Sequence, residues 1–357
     1  MEIKNIIFKS IREKGHLTIS QFMEIILTSY EGSYYRAKNP LDQDGDFITA
    51  PEVSQMFGEM VGVWVYKQWL ILGKPEKINI VEFGPGRGLL MRDLLRVILK
   101  TEMKNHISVF LYDVNEALIK VQKEILSSFP EVKWIEHITD LEQKTTIFIA
   151  NEFFDALPIT QYIKVKENWH EVVLRTNPAG NTIIFDKFEV EEHIDEYLSF
   201  EYRNAKDGAI VEESKIAADY VRFLARNIKE FNSVALILDY GYDLEPNERK
   251  SSQYFSTLQG IKKHKYTPIL HDIGNTDISS HVDFNRIKKI ASNLDVKSIS
   301  VVTQREFLLE QGIVQRLEDL AAKNPELTNL LYSQYNRLVS DNEMGRLFKA
   351  LVMSDLE

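Results

Sequence analysis

The chain has 357 residues, with 53 Asp and Glu against 43 Lys and Arg, and it contains no cysteine. Without cysteine it can form no disulfide, no thiolate nucleophile and no Cys-ligated zinc or iron–sulfur site. The net charge of −10 argues against a nucleic-acid partner, because proteins that bind nucleic acids neutralise phosphates with Lys and Arg.

The sequence contains no candidate membrane span. No apolar run approaches the roughly 18–20 residues that cross a bilayer. The N-terminus has neither the apolar core of a signal peptide nor the Arg-rich, acid-poor composition of a transit peptide. We therefore expect a soluble protein in the compartment where it was made, or a mature form that has already been trimmed.

The N-terminal part of the chain is predicted to be helical. Residues 3–27 favour two helices, the second capped by Thr18 together with Gln21 in a capping box. After a turn-rich loop, residues 52–72 favour a long apolar helix. We assign residues 1–75 to an N-terminal helical region.

From residue 76 onward, apolar strands alternate with amphipathic helices. This alternation requires crossover connections and predicts a mostly parallel sheet. We therefore expect an α/β core over residues 76–357, with a hairpin and a helical insertion at about 160–230. The strands are predicted at 78–83, 107–113, 132–137, 145–151, 233–241, 296–304 and 348–353.

A glycine-rich turn, VEFGPGRG (81–88), lies between the first of these strands and a helix. Small residues there let a ligand approach the backbone, and the helix N-terminus offers free N–H groups. The third glycine comes one position too early for the dinucleotide fingerprint, and the sequence contains no P-loop. The alternative is a tight connection without a ligand.

Two acidic residues accompany this turn. Glu82 precedes the first glycine, and Asp113 ends the next strand. Together with the G-x-G-x-G spacing, they are similar to the pattern of class I S-adenosylmethionine-dependent methyltransferases. That resemblance implies that Glu82 lies near the ammonium group of the cofactor and that Asp113 binds the ribose hydroxyls. The alternative for Asp113 is a cap on the following helix.

The segment NEFFDALP (151–158) follows the fourth strand, at the edge where open α/β sheets bind ligands. Asn151 can hold a substrate nitrogen, and Glu152 and Asp155 can orient a cationic nucleophile or accept its proton. Carboxylates suit an arginine, because its guanidinium stays protonated and pairs with them bidentately. The alternative is that Asn151 and Asp155 cap a helix while the two phenylalanines pack in the core.

Six sequence blocks resemble the MidA-like methyltransferase family, in the same order along nearly the whole chain. The blocks are GDFITAPEVSQMFGEMVGVW (45–64), VEFGPGRGLLMRDLLR (81–96), NEFFDALP (151–158), LILDYGY (236–242), HVDF (281–284) and MGRLFKAL (344–351). The resemblance implies a class I methyltransferase (Rossmann-like) fold and S-adenosyl-L-methionine as cofactor. Mitochondrial members symmetrically dimethylate an arginine of a respiratory complex I subunit, so a protein arginine methyltransferase with such a substrate is expected.

The resemblance also assigns individual residues. The catalytic candidates are Asn151, Glu152 and Asp155. The cofactor-binding candidates are Glu82, Gly84, Pro85, Gly86, Gly88, Asp113, Thr49 and Glu52, the last two in a segment expected to cover the cofactor. The alternative function is a catalytically silent assembly or interaction protein on the same fold. The sequence leaves the oligomeric state open.

Two further signals are weaker. Asp42–Asp46 resembles the start of a calcium loop, but Phe47 and Val53 occupy the positions that require Gly and Glu, so we expect a polar turn and no metal. His281 and Asp283 precede a helix, and either a substrate-site role or helix capping is open to them.

Overall fold

The computed structural model describes residues 2–30, 32–34, 49–262 and 265–356. The polar turn predicted at Asp42–Asp46 lies outside these residues. By their contacts, two compact units form from interleaved stretches of the chain. The large unit comprises Ile48–Phe154, Tyr220–Tyr242 and Arg286–Glu357, and the small unit comprises Met1–Phe47, Asp155–Asp219 and Asp243–Asn285. The predicted division at residue 75 stays a prediction.

Seven strands of the large unit form one sheet. They are β1 (Ile78–Phe83), β2 (Ile107–Tyr112), β3 (Val132–Ile135), β4 (Thr146–Asn151), β5 (Val234–Tyr242), β6 (Ser298–Thr303) and β7 (Phe348–Ser354). Each lies within two residues of its predicted position. Their order is β6-β7-β5-β4-β1-β2-β3, parallel throughout except for β7, which runs antiparallel to both of its neighbours. The predicted mostly parallel α/β sheet is confirmed.

The strand order reverses between β1 and β4. The chain runs outward from β1 through β2 and β3, then returns to pair β4 with the other side of β1. Residues of β1 and β4 are buried along their whole length, as expected for strands covered on both faces. Ligands in such sheets bind beyond the strand carboxyl ends at the reversal, which here are Phe83 and Asn151.

α-Helices alternate with these strands along the chain. The helices that belong wholly or partly to the large unit are Ala50–Val53, Gln55–Ile71, Leu89–Ile98, Glu116–Ile125, Lys215–Phe231, Phe284–Ser292, Gln304–Glu310, Ile313–Lys323, Thr328–Val339 and Met344–Leu347. Within the described part of the chain, none is both long and apolar enough to cross a membrane.

The predicted helix at 52–72 is in fact two helices. Ser54 is extended, with φ −161° and ψ 141°, and its side chain accepts the N–H of Met56. It therefore ends the short helix Ala50–Val53 and caps the long helix Gln55–Ile71. The polar Ser54 interrupts an otherwise continuous helical pattern, and the periodicity alone did not show this break.

The small unit begins with the two predicted helices, Ile3–Lys14 and Ile19–Leu27. The capping box is confirmed, since Thr18 and Gln21 exchange hydrogen bonds of 3.1 and 3.2 Å. The predicted hairpin is also confirmed, with Val165 paired to Asn168 across its turn. Its strands are Thr160–Val165 and Asn168–Thr176.

Further strands of the small unit were not predicted. Ile183–Glu189 pairs with the hairpin, and all of its residues except the first are exposed. Because neither face is buried, its sequence lacks the alternation that marks a strand. The other short strands are Leu17–Thr18, Ile210–Glu213, Gln259–Lys262, Lys265–Thr267, Asp277–Ser279 and Val282–Asp283, and the remaining α-helix described is Glu192–Glu201.

Candidate active site

The glycine turn after β1 is held in a conformation that side chains rarely adopt. Gly84, Gly86 and Gly88 have φ of +57°, +54° and +84°. A Cβ at Gly84 would lie 2.8 Å from a ring carbon of Phe153. Pro85 is buried between the first two glycines, and its carbonyl accepts the N–H of Gly88 at 2.7 Å. The turn therefore requires glycine both for its backbone and for its close packing.

Glu82 is a buried carboxyl group one residue before the end of β1. It is 2% exposed, and its Oε2 has no hydrogen-bond partner among the described residues. Burial, with a smaller contribution from the charge of Asp113, raises the pKa of Glu82 to about 8. A buried polar atom without a partner is costly, so this oxygen is suited to a cationic group of a ligand.

Asp113 directly follows β2 and is held on both oxygens. Oδ1 accepts the N–H of Asn115 at 2.9 Å, and Oδ2 accepts from Nε2 of Gln122 at 2.7 Å. Burial raises the pKa of Asp113 to about 6, and these hydrogen bonds oppose that rise. The following helix is capped by Asn115, whose Oδ1 accepts from Ala117 and Leu118. Asn115, and not Asp113, is therefore the N-cap of the helix Glu116–Ile125.

Gln122, a residue outside every predicted motif, joins the glycine turn to Asp113. Its Nε2 also donates to the carbonyl oxygen of Gly86 at 2.8 Å. The sequence does contain one indication of this role, because Gln122 lies between Leu118 and Leu126 on the apolar face of its helix. A polar residue in that stripe needs a buried partner.

Asn151 and Glu152 lie together at the end of β4. Glu152 has φ +48°, a rare value for a residue other than glycine, and its N–H donates to the carbonyl oxygen of Leu238 at 2.8 Å. Its Oε1 accepts from the backbone N–H of Ala50 at 2.9 Å and from Nδ2 of Asn151 at 3.2 Å. Backbone strain of this kind gathers at functional sites.

Thr49 and Glu52 stabilise the short helix that carries Ala50. Oε2 of Glu52 accepts the N–H of Thr49 at 3.2 Å, and Oε1 lies 4.0 Å from Nη1 of Arg87. Burial raises the pKa of Glu52, while Thr49 and Arg87 lower it. Thr49 and Glu52 thus hold the short helix whose backbone N–H, at Ala50, donates to Glu152. Arg87, in the glycine turn, has a buried Nε without a partner among the described residues.

The two phenylalanines of the β4 segment pack in an aromatic cluster. The ring of Phe153 lies 5.6 Å from that of Phe83 and 5.1 Å from that of Tyr220. Phe154 is 4% exposed, and its N–H donates to Oδ2 of the buried Asp239 at 3.0 Å. Core packing, the alternative considered for this pair, therefore describes Phe154, while Phe153 is only partly buried beside the glycine turn.

Asp155 and His281 belong to the small unit. The carbonyl oxygen of Asp155 accepts the N–H of Ser280 at 2.9 Å. The N–H of His281 donates to Oγ1 of Thr257 at 2.9 Å, and burial lowers the pKa of its ring. Asp283 forms an ion pair with Arg249. An acid–base role for Asp155 stays a prediction. Across the residues with described positions, no cluster of His, Asp and Glu could hold a metal ion.

Comparisons with family models and with known proteins agree on one family for this chain. Residues 60–302 match the model of Methyltransf_28, a family of S-adenosyl-L-methionine-dependent methyltransferases. The mitochondrial protein arginine methyltransferase NDUFAF7 of Xenopus tropicalis is 33% identical, over 97% of this chain and 84% of its own. Its human counterpart is 29% identical, over 97% of this chain and 81% of its own.

A solved structure agrees in fold. A COG1565 superfamily member from Burkholderia thailandensis, bound to S-adenosyl-homocysteine, superposes with a TM-score of 0.88 at 22% identity. The alignment covers 99% of this chain and 92% of that one. The chain therefore belongs to the Methyltransf_28 family of S-adenosyl-L-methionine-dependent methyltransferases, as its six sequence blocks predicted.

Proposed function

We propose that the protein transfers methyl groups from S-adenosyl-L-methionine to the guanidinium group of an arginine in a protein. The observation that carries the cofactor half is the unpartnered, buried Oε2 of Glu82 beside a turn of three glycines with positive φ. The substrate half is supported by Glu152 and Asn151 at the end of β4 and by relatives named as protein arginine methyltransferases.

The residues around the glycine turn fit the polar groups of the cofactor. We assign its ammonium group to Glu82 and its ribose hydroxyls to Asp113. The buried N–H of Arg87 Nε can donate to its carboxylate. The bound cofactor supplies an electrophilic methyl group on a sulfonium. Because the reaction is an in-line displacement, the chain needs to provide alignment rather than a nucleophile.

The β4 segment fits a guanidinium substrate. A carboxylate pairs with a guanidinium in its plane and stabilises its charge, which favours Glu152 as the orienting group. One guanidinium nitrogen gains the methyl group and loses a proton, and we assign that proton to Glu152. Asn151 keeps the Glu152 carboxylate in place through its Nδ2. The three glycines and Pro85 give the turn its shape.

We also propose which protein carries the arginine that is methylated. Relatives of this chain are mitochondrial proteins. The resemblance to the MidA-like family implies a subunit of respiratory complex I, which is therefore the first protein to test as a substrate. The corresponding compartments are the mitochondrial matrix for a eukaryotic chain and the cytoplasm for a bacterial one. Methylation of an arginine in purified complex I, found by mass spectrometry, would support this substrate, and its absence would remove it.

Calorimetry with S-adenosylhomocysteine tests the cofactor half. Wild type should bind, and Gly86→Val should not, because valine strains a backbone at φ +54° and fills the turn. Gly180→Val is the matched control, since Gly180 also has a positive φ, +71°, but lies in an open turn of the small unit. Binding that survives Gly86→Val would remove the glycine turn from the cofactor site.

A further inference from the structure

Gln122 is a buried amide that contacts three separate segments of the large unit. It lies on the helix Glu116–Ile125 and is fully buried. Its Nε2 donates to the carbonyl oxygen of Gly86 at 2.8 Å and to Oδ2 of Asp113 at 2.7 Å. Its Oε1 accepts from Nε1 of Trp134 at 2.8 Å. Both donors and the acceptor of the amide are therefore in use.

The chemistry of its neighbours fixes the orientation of this amide. The indole of Trp134 can only donate, so it requires Oε1. The Gly86 carbonyl and the Asp113 carboxylate can only accept, so they require Nε2. A glutamate at 122 would turn an anionic oxygen toward two acceptors, and an apolar residue would leave a buried carbonyl unpaired.

The amide acts on two groups that the proposed function assigns to the cofactor. Gln122 holds Oδ2 of Asp113 while the N–H of Asn115 holds Oδ1, so the plane of the carboxylate is set. A carboxylate has about four acceptor positions, so beside the N–H groups of Asn115 and Val114 and the amide of Gln122 it can accept a further hydrogen bond. The same amide holds the carbonyl of Gly86, which has φ +54°.

We propose that Gln122 is a positioning residue that sets the Asp113 carboxylate for the ribose hydroxyls of the cofactor and ties it to the glycine turn. The inference rests on the proposed function, which gives the ribose to Asp113. Groups held in place before the ligand arrives lower the cost of binding. Because Gln122 acts equally before and during methyl transfer, it affects KM for the cofactor and leaves kcat unchanged.

Calorimetry on Gln122→Met tests this role with two ligands, S-adenosylhomocysteine and its 2′-deoxy analogue. Methionine keeps the length of the side chain and removes both donors. We expect wild type to bind the deoxy analogue more weakly than the parent ligand. Gln122→Met should bind the parent about tenfold more weakly, the loss typical of a hydrogen bond to a charged group, and should barely distinguish the two ligands.

Two further variants complete the test. Gln304→Met removes an equally buried amide of the same unit, which donates to the carbonyl of Leu338 at 2.8 Å, and should leave both affinities unchanged. Trp134→Phe removes the donor that orients Gln122 while leaving both Nε2 hydrogen bonds possible, at the cost of a smaller ring beside the core, and should cause a smaller loss with the same reduced discrimination. Trp134→Phe decides the outcome if Gln122→Met does not fold.

The results separate this inference from the proposed function. If the wild type binds neither ligand, or binds both equally, the assignment of the ribose to Asp113 fails. If wild type discriminates and Gln122→Met discriminates equally well, the positioning role of Gln122 is overturned. If Gln122→Met lost the same factor of affinity for both ligands, the positioning role would likewise be overturned, because that result indicates general damage to the binding site. A fall in kcat at unchanged KM would contradict a role in positioning the cofactor.

Discussion

Two carboxyl groups of the site have a raised pKa when no ligand is bound. Burial raises the pKa of Glu82 from 4.5 to about 8 and that of Asp113 from 3.8 to about 6. The native chain thus holds these protons to higher pH than the unfolded chain. Their contribution to stability is present at low pH and is lost as the pH rises toward 8 for Glu82 and toward 6 for Asp113.

Cofactor binding should therefore depend on pH and release a proton. The cofactor ammonium requires an ionised Glu82, so affinity for S-adenosylhomocysteine should rise between pH 6 and about 8, by at most about tenfold per pH unit. Calorimetry in two buffers of different ionisation enthalpy measures the proton released. Glu82→Gln should bind more weakly at pH 8 and lose this slope, while a variant of the exposed Glu131, Glu131→Gln, should keep it. A slope that persists in Glu82→Gln would contradict the assignment.

The placement of a residue was predictable where it follows from the end of a strand, and not where it depends on contacts between residues distant in sequence. Glu82 and Asp113 end neighbouring strands, so the sequence was enough to pair them with the glycine turn. Gln122 meets its partners only in the folded unit, and the Ala50 N–H meets Glu152 across 102 positions of sequence. Such contacts leave no local pattern.

At the scale of elements, the strands of the large unit were predictable because burial on both faces produces continuous apolar runs. The exposed strand Ile183–Glu189 was not, because it presents no buried face. The break at Ser54 was also missed, since a single capping serine hardly disturbs the period of a helix.

The close contact of two helices depends on glycine. The long helix Gln55–Ile71 packs on Leu89–Ile98, and a Cβ at Gly58 would lie 2.9 Å from Cβ of Asp93. Overpacking costs about 1–3 kcal/mol, and alanine recovers about 1 kcal/mol of helix propensity. Gly58→Ala should therefore lower the free energy of unfolding by up to about 2 kcal/mol, measured by urea denaturation.

Gly32→Ala provides the matched control for this prediction. A Cβ there would meet Ile3 at an ordinary 3.6 Å. The substitution should therefore stay within about 0.5 kcal/mol of wild type or stabilise the chain slightly. A Gly58→Ala variant as stable as wild type would show that the two helices can separate at little cost.

At the scale of the whole molecule, the family and the mostly parallel sheet were recoverable from the sequence, whereas the order of the strands and the division into two units were not. The chain leaves the large unit after β4 and again after β5, so each unit is assembled from three stretches. Periodicity reveals the elements in a stretch but not the stretches that pack together. A hairpin and a helical insertion were expected at about 160–230 within a single core, and the small unit also contains further short strands.

Methyl transfer by wild type and Glu152→Gln tests the central claim most directly. Glutamine keeps an oxygen that can accept from Ala50 and Asn151 but loses the charge and the proton acceptor. The enzyme is incubated with cofactor carrying an isotope-labelled methyl group and an extract of cells that lack the protein, and labelled residues are identified by mass spectrometry. Wild type should label arginine, and Glu152→Gln should be at least about 100-fold slower while binding S-adenosylhomocysteine normally. Label confined to other residues, or undiminished in Glu152→Gln, would contradict the account.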